Sequence, residues 1–190
     1  MTVKKHLIVA ITGASGAPYA RALLRSLPQE DFHVHLVASS SGRMVYELEI
    51  GRSLEEDIPP PVTLYRETDF AAPFASGSFP AAGMVIVPCT MGTLAAVANG
   101  ISQNLVHRAA DVCLKEGRRL VLVPRETPLN QIHLENMLRL SRAGAIILPA
   151  MPGFYNRPRS LEEIVLFIVA RILDQFGIPQ NFVPPWNCHE

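Results

Sequence analysis

Short aliphatic runs alternate along this chain with stretches of helical spacing. The runs are Leu7–Thr12, His33–Ala38, Met84–Pro88, Leu120–Pro124 and Ala145–Pro149, each ending in small or polar residues. They lack the apolar–polar alternation of a half-exposed strand, which predicts a parallel sheet buried on both faces. Between them, apolar residues recur at helical spacing over about residues 16–27, 41–49, 92–99, 105–116 and 131–142. A last helix is predicted over Leu161–Phe176, apolar at 161, 164, 165, 168, 169, 172 and 173. This alternation predicts a doubly wound, Rossmann-like α/β fold: a parallel sheet flanked by helices in a single domain, with ligands at the C-terminal ends of the strands.

Three stretches depart from the pattern. Residues 57–62, Asp-Ile-Pro-Pro-Pro-Val, read as a rigid connector. Residues 67–80 have neither strand nor helix period, and a loop of that length in a compact domain is usually functional or packs on a partner. Ala150–Arg159 holds Met-Pro-Gly-Phe-Tyr-Asn-Arg-Pro, an aromatic pair on a path fixed by Pro and Gly. The α/β domain is expected over residues 1–176. The Pro-rich tail at 177–190 carries Trp186, the only tryptophan, and is expected to dock at the site or at a subunit interface.

Composition narrows the class. The 190 residues suffice for one domain with a full core. With 48% hydrophobic and only 18% charged residues, some surface is expected to be buried between subunits. Net charge is zero and no Lys/Arg cluster is dense, which argues against nucleic acid as a partner. Cys89, Cys113 and Cys188 are odd in number and far apart, and no H-x-x-H spacing occurs, so neither a disulfide framework nor a metal site is indicated. Lys4-Lys5 precedes an apolar stretch too short for a secretory signal, and no run approaches the ~20 residues of a membrane span. The expectation is a soluble, cytoplasmic protein with no membrane partner.

Polar groups collect at the strand ends. Thr12-Gly13-Ala14-Ser15-Gly16 follows the first strand and opens a helix, an arrangement suited to an anion: glycines allow close backbone approach and the helix N-terminus offers N–H groups. Its G-x-x-G spacing matches neither the dinucleotide fingerprint nor the Walker loop, and an ordinary β–α turn explains it as well. Ser39, Ser40 and Ser41 follow the second strand, Thr90-Met91-Gly92-Thr93 the third, and Arg125-Glu126 the fourth. Taken singly, Thr90 and Thr93 read as helix caps; two such turns at adjacent strand ends favour a cofactor. Glu49 ends a helix between Leu48 and Ile50, a setting expected to be partly dry and to raise its pKa. Arg108 and Lys115 are two helical turns apart and point the same way, although Lys115 beside Glu116 reads as a solvated helix end. Arg171 interrupts an apolar helix face.

Six blocks occur in order: Thr12-Gly13-Ala14-Ser15-Gly16-Ala17, Pro88-Cys89-Thr90-Met91-Gly92-Thr93-Leu94, Arg108-Ala109-Ala110-Asp111-Val112, Val123-Pro124-Arg125-Glu126-Thr127-Pro128, His133-Leu134-Glu135-Asn136-Met137 and Pro149-Ala150-Met151-Pro152-Gly153-Phe154-Tyr155. Together they resemble the flavin prenyltransferase family of the UbiX type, long described as aromatic-acid decarboxylases, nearly end to end from Leu7 to Trp186. The resemblance implies transfer of a dimethylallyl group from dimethylallyl monophosphate to N5 and C6 of reduced FMN. The product, prenylated FMN, would serve a UbiD-type decarboxylase. It implies FMN contacts at Gly13, Ala14, Ser15, Ser39, Thr90, Met91, Gly92, Thr93 and Arg125, with Met91 contributing backbone only. It places Arg108, Lys115, Tyr155 and Arg171 at the prenyl phosphate, assigns Glu49, Ser15, Lys115, Glu126 and Trp186 to catalysis, and implies dodecamers with sites shared between subunits. No D-D-x-x-D pair is present to clamp a magnesium diphosphate, in keeping with a metal-independent reaction of a monophosphate.

Three other readings carry less. A cysteine decarboxylase of the same FMN-binding superfamily resembles the chain, but residues 65–80 contain no His and no P-x-M-N-x-x-M-W segment occurs. A non-catalytic flavin carrier has no use for Lys115, Tyr155 and Arg171, and carriers are usually strongly acidic. A nucleotide-binding regulator is separated by comparing FMN with NAD binding.

Overall fold

The computed structural model describes residues 3–184. Six parallel strands form one sheet in the order β3-β2-β1-β4-β5-β6: β1 (Lys5–Ile11), β2 (Phe32–Ala38), β3 (Thr63–Arg66), β4 (Ala81–Cys89), β5 (Arg119–Pro124) and β6 (Ile146–Ile147). The helices are α1 (Ala17–Ser26), α2 (Ser40–Ile50), α3 (Leu54–Asp57), α4 (Met91–Ala98), α5 (Leu105–Lys115), α6 (Gln131–Arg142) and α7 (Leu161–Gln175). The doubly wound fold expected from the pattern is the fold observed.

Successive side chains of a strand point to opposite faces, so β1 feeds two separate cores. Leu7, Val9 and Ile11 pack with Leu23 of α1, Tyr46 of α2 and Ile168 of α7. Ile8 and Ala10 pack with Leu94 of α4, Val106 of α5 and Leu140 of α6. One layer is therefore α1, α2 and α7; the other is α4, α5 and α6. Both bury their apolar stripes, which is why the central strands read as unbroken aliphatic runs.

Several elements differ from expectation. β3 and α3 border the stretch read as a rigid connector, and a 3-10 turn, Pro73–Ala75, interrupts the long loop. β3 is a four-residue edge strand paired only with β2 and half exposed, so it carries no aliphatic run to betray it. β6 is shorter than Ala145–Pro149, although Leu148 N–H donates to the Leu122 carbonyl and Ala150 N–H to that of Pro124, prolonging the pairing. No helix among the described residues is long and apolar enough to cross a membrane. Of the C-terminal tail, Ile178 and Val183 are buried in the α1–α7 core; Trp186 lies outside the described residues.

The sheet's N-terminal half carries a histidine cluster. His6 Nδ1 lies 3.0 Å from His35 Nε2, and His35 Nδ1 lies 3.0 Å from the Tyr65 hydroxyl. Phe74 and Phe79 from the long loop pack on the His35 ring. Burial, aided by the neighbouring His6 and His33, pushes the His35 pKa down to about 4; burial and His33 also lower that of His6. A histidine kept neutral by folding contributes stability that is complete above the unfolded pKa of about 6.5 and is lost as pH falls from there towards 4. We expect urea midpoints to fall between pH 7 and pH 4.5, with at most about 3 kcal/mol traceable to His35. Substituting His35→Gln should flatten that pH dependence; an unchanged slope would remove His35 from the acid transition.

Candidate functional site

Strand order reverses between β1 and β4, so the loops that leave their C-terminal ends lie side by side at the topological switch point. One buried hydroxyl ties them together. Thr12 Oγ1 donates to the Pro88 carbonyl at 2.8 Å and accepts from Thr90 N–H at 2.8 Å. Gly13 passes so close to α2 that a Cβ there would stand 2.6 Å from Ser41 Oγ. Gly16, at φ 127°, turns the chain into α1 through a conformation L-residues rarely adopt.

The expected FMN-facing residues meet at this edge. Ser15 is exposed and Ala14 buried beside it. Arg125 reaches across from the end of β5, its Nε donating to the Ser15 carbonyl at 3.2 Å. Ser39 Oγ caps α2 by accepting from Gly42 N–H at 3.0 Å, and Thr90 Oγ1 caps α4 by accepting from Thr93 N–H at 3.1 Å. The helix-cap reading of Thr90 therefore holds in this structure. Met91 is buried by its side chain, leaving its backbone beside exposed Gly92 and buried Thr93. Glu126 follows Arg125 and accepts from Thr127 N–H at 3.0 Å. These groups fit a flavin mononucleotide: a glycine-cradled loop, the N-termini of α2 and α4 with their hydroxyl residues, and a guanidinium for the phosphate.

Glu49 corrects an expectation. The residue as a whole is exposed, and Leu48 beside it is 81% exposed, but its carboxylate is partly desolvated. Its carboxylate reaches the N-terminus of α1, where Oε2 accepts from Gly16 N–H at 2.9 Å and Ala17 N–H at 2.8 Å. Desolvation pushes its pKa up, but the Ser15 side chain, these two amides and Arg125 outweigh it and hold the carboxyl below its ordinary value. The expected raised pKa is wrong because sequence neighbours on a helix do not report what the side chain touches. The anion at the α1 N-terminus is the protein's own carboxylate.

The donor-phosphate residues divide into two groups. Tyr155 and Arg171 both pack on Phe167: the Tyr155 ring centroid lies 5.9 Å from it at a near-perpendicular angle, and the Arg171 guanidinium carbon 5.9 Å from its centroid. Arg171 Nη2 pairs with Asp174 at 2.9 Å, while its Nε is buried without a hydrogen-bond partner. That orphan donor suits an incoming anion. Arg108 and Lys115 lie on α5, in the layer across the sheet, and both face the 67–80 loop. Arg108 Nε donates to the Ala75 carbonyl at 2.9 Å, and Lys115 pairs with Glu116 beside Gly77. Lys115 precedes β5 and Arg125 follows it, so the strand's length, about 20 Å, separates them. The convergence of Lys115 with Tyr155 and Arg171 expected from the resemblance is not met within one chain. Phe167, the bridging role of Thr12 and the Asp57 carboxylate on α3 are not singled out by the sequence. Phe167 has a signal, standing one helical turn before Arg171; Thr12 is only the polar end of a strand.

A sequence profile of the Flavoprotein family matches residues 1–173. The flavin prenyltransferase UbiX of Halalkalibacterium halodurans is 47% identical over 198 residues, covering 98% of this chain and 96% of that protein. A crystal structure of AnUbiX (PadA1) in complex with FMN and dimethylallyl pyrophosphate aligns with TM-score 0.95 and 41% identity over 99% of this chain and all of that one. The dodecameric FMN-dependent UbiX-like decarboxylase from Escherichia coli O157:H7 aligns with TM-score 0.89 and 48% identity, covering 96% and 98% of the two chains.

Proposed function

The chain belongs to the flavoprotein family and is a flavin prenyltransferase, and from that premise we propose that it assembles its donor-phosphate pocket from two copies of itself. The reaction joins the dimethylallyl group of dimethylallyl monophosphate to N5 and C6 of reduced FMN. The observation that carries the flavin half is the Thr12 bridge, which locks two glycine-and-hydroxyl turns together under Arg125. FMN, when bound, supplies the nucleophilic ring atoms and a π face.

The chain's own residues do the rest. Gly13, Ala14 and Ser15, Ser39, the Thr90–Thr93 turn and Arg125 hold the flavin. Tyr155 and Arg171 of one copy, with Lys115 and Arg108 of another, take the charge of the departing phosphate. Glu49, ionised and fixed at the α1 N-terminus beside Ser15, accepts the proton released from the ring, with Glu126 nearby on the same edge. Trp186 is assigned an aromatic face towards the allylic cation.

Assembly gives these groups their partners. Met44 and Leu48 of α2, Ile132 and Leu134 of α6, and Met151 and Phe154 of the 150–159 loop are all exposed, a large apolar area for one chain. We assign it to contacts within a dodecamer, like that of the Escherichia coli relative. The tail from residue 177 closes the site or an interface, and the product passes to a UbiD-type decarboxylase. The cysteine-decarboxylase and carrier readings lack support from the curated relatives, such as that of Halalkalibacterium halodurans, which are named flavin prenyltransferases.

Anaerobic incubation with reduced FMN and dimethylallyl monophosphate, followed by mass spectrometry of the flavin, tests the reaction; an unmodified flavin would overturn it. Arg125→Ala should weaken FMN binding by roughly 1.5–3 kcal/mol, the loss of a charge-assisted bond. Unchanged affinity in a fluorescence titration would take Arg125 out of the flavin site.

A further inference from the structure

α2 carries Glu49 yet has little apolar hold on the domain. Of its eleven residues only Gly42 and Tyr46 are buried, while Met44 and Leu48 face solvent. Within one chain its place therefore owes much to polar ties, and those around Asp57 stand out. The Asp57 side chain is 1% exposed, and both its oxygens are saturated. Oδ2 accepts from Arg21 Nε at 2.7 Å and the Tyr46 hydroxyl at 2.8 Å; Oδ1 accepts from Arg21 Nη2 and Arg25 Nη2, each at 3.0 Å. Arg21 and Arg25 are one turn apart on α1, and Tyr46 stands one turn before Glu49 on α2.

α1 and α2 are thus cross-tied at two levels. At the upper level the Glu49 carboxylate holds Gly16 and Ala17 N–H. About one turn lower, the Asp57 carboxylate holds the two arginines of α1 and the tyrosine of α2. With Tyr46 seated in the core between them, the two ties constrain the angle of α2 to α1, and with it the approach of Glu49 to the α1 N-terminus. Arg43 adds a further link from α2 to Glu55 of α3, so the short helix that carries Asp57 is itself anchored.

We propose that Asp57, acting through Tyr46, is a positioning residue that holds the Glu49 carboxylate against the α1 N-terminus. The inference rests on the reading that Glu49 serves the prenyl transfer, but its structural half stands without it. No member of the cluster is among the residues assigned to the flavin or the donor. Its effect is transmitted by the orientation of α2.

Tyr46→Phe deletes the hydroxyl and keeps the ring in the core, so it tests the link without opening a cavity; Asp57→Asn tests it from the other side. In the assembled protein, Tyr46→Phe should lower kcat about tenfold with the KM for donor changed less than about twofold, since positioning rather than binding is lost. In a Glu49→Gln background the same substitution should cost less than about twofold more, because both changes act through one carboxylate. Losses that multiply in the double variant, or an unchanged kcat in Tyr46→Phe, would overturn the proposal.

A second readout needs no turnover. Amide exchange at Gly16 and Ala17, followed by mass spectrometry in the ligand-free protein, should quicken about tenfold in Tyr46→Phe while peptides from β1 and β4 keep their protection. Unchanged exchange at those two amides would overturn the proposal. A native chain that fails to prenylate FMN would overturn the functional reading and leave the exchange result to decide the positioning role.

Discussion

Glu49→Gln should bind FMN within about threefold of the native affinity and yet form prenylated FMN about 100–1,000 times more slowly, the range expected when a positioned general base is lost. The substituted amide keeps an oxygen to accept from Gly16 and Ala17 N–H, so the loop geometry that holds the flavin survives. What disappears is the negative charge. The structure shows that charge held by the Ser15 side chain, two amides and Arg125, with the carboxyl below its ordinary pKa. Such a carboxylate is a weak base, but loss of a proton that restores aromaticity is strongly downhill, so placement matters more than basicity. A depressed pKa also sets the sign of the pH dependence. A rate that needs ionised Glu49 persists as pH falls through the ordinary carboxylate range and is lost only below it. Glu47, two positions earlier on another side of the helix, provides the control: Glu47→Gln should turn over at nearly the native rate. Anaerobic single-turnover measurement with mass analysis of the flavin decides between them. Full-rate conversion by Glu49→Gln would assign the proton to Glu126 or to the released phosphate.

The second large effect is expected from mixing. Lys115→Ala and Arg171→Ala should each abolish most prenylation while leaving FMN bound, because both are proposed to take the charge of the donor phosphate. Tyr155→Phe should act in the same direction. Within one chain these groups stand in opposite helical layers with the sheet between them, Lys115 with α4 and α6, Arg171 with α1 and α2. We infer that a pocket using both draws them from different copies. Co-expressing the two inactive variants at equal levels should then restore activity to about a quarter of native, since in a random assembly about one pocket in four receives both intact residues. If the donor pocket belonged to one chain, the mixture would be as inactive as its components. Activity of the co-purified mixture, set against each variant alone, distinguishes the two.

Much of the scaffold is legible because burial on both faces leaves a mark in sequence. β1, β2, β4 and β5 appear as aliphatic runs, and α6 falls on 131–142, the span its spacing predicts. β3 leaves no mark: an edge strand of four residues has one neighbour and half its surface in water. The flavin edge is legible for a related reason. Small residues at strand ends are imposed by close backbone approach, as at Gly13 against Ser41, and that requirement can be read before any contact is known. Two things cannot be read. One is the environment of Glu49, set by a helix terminus 33 residues away in the chain. The other is the layer to which each donor-site cation belongs. Spacing tells which way Arg108 and Lys115 point relative to each other, and both do face the 67–80 loop. It does not tell on which side of the sheet a crossover lands, since that depends on where the strand order reverses. Asp57 is hidden likewise, the last of three consecutive acids before three prolines, with partners that come from two other helices.

The placement of Arg171 and Lys115 in opposite layers has a consequence for inheritance. With the pocket shared between copies as proposed, in a cell that makes native chain together with one carrying both Lys115→Ala and Arg171→Ala, each defective chain spoils two pockets, its own share and a neighbour's. At equal expression about a quarter of the pockets stay whole, where independent chains would leave half. Such an allele would be dominant negative, and selection would then bear on pairs of residues that no isolated chain would reveal as essential.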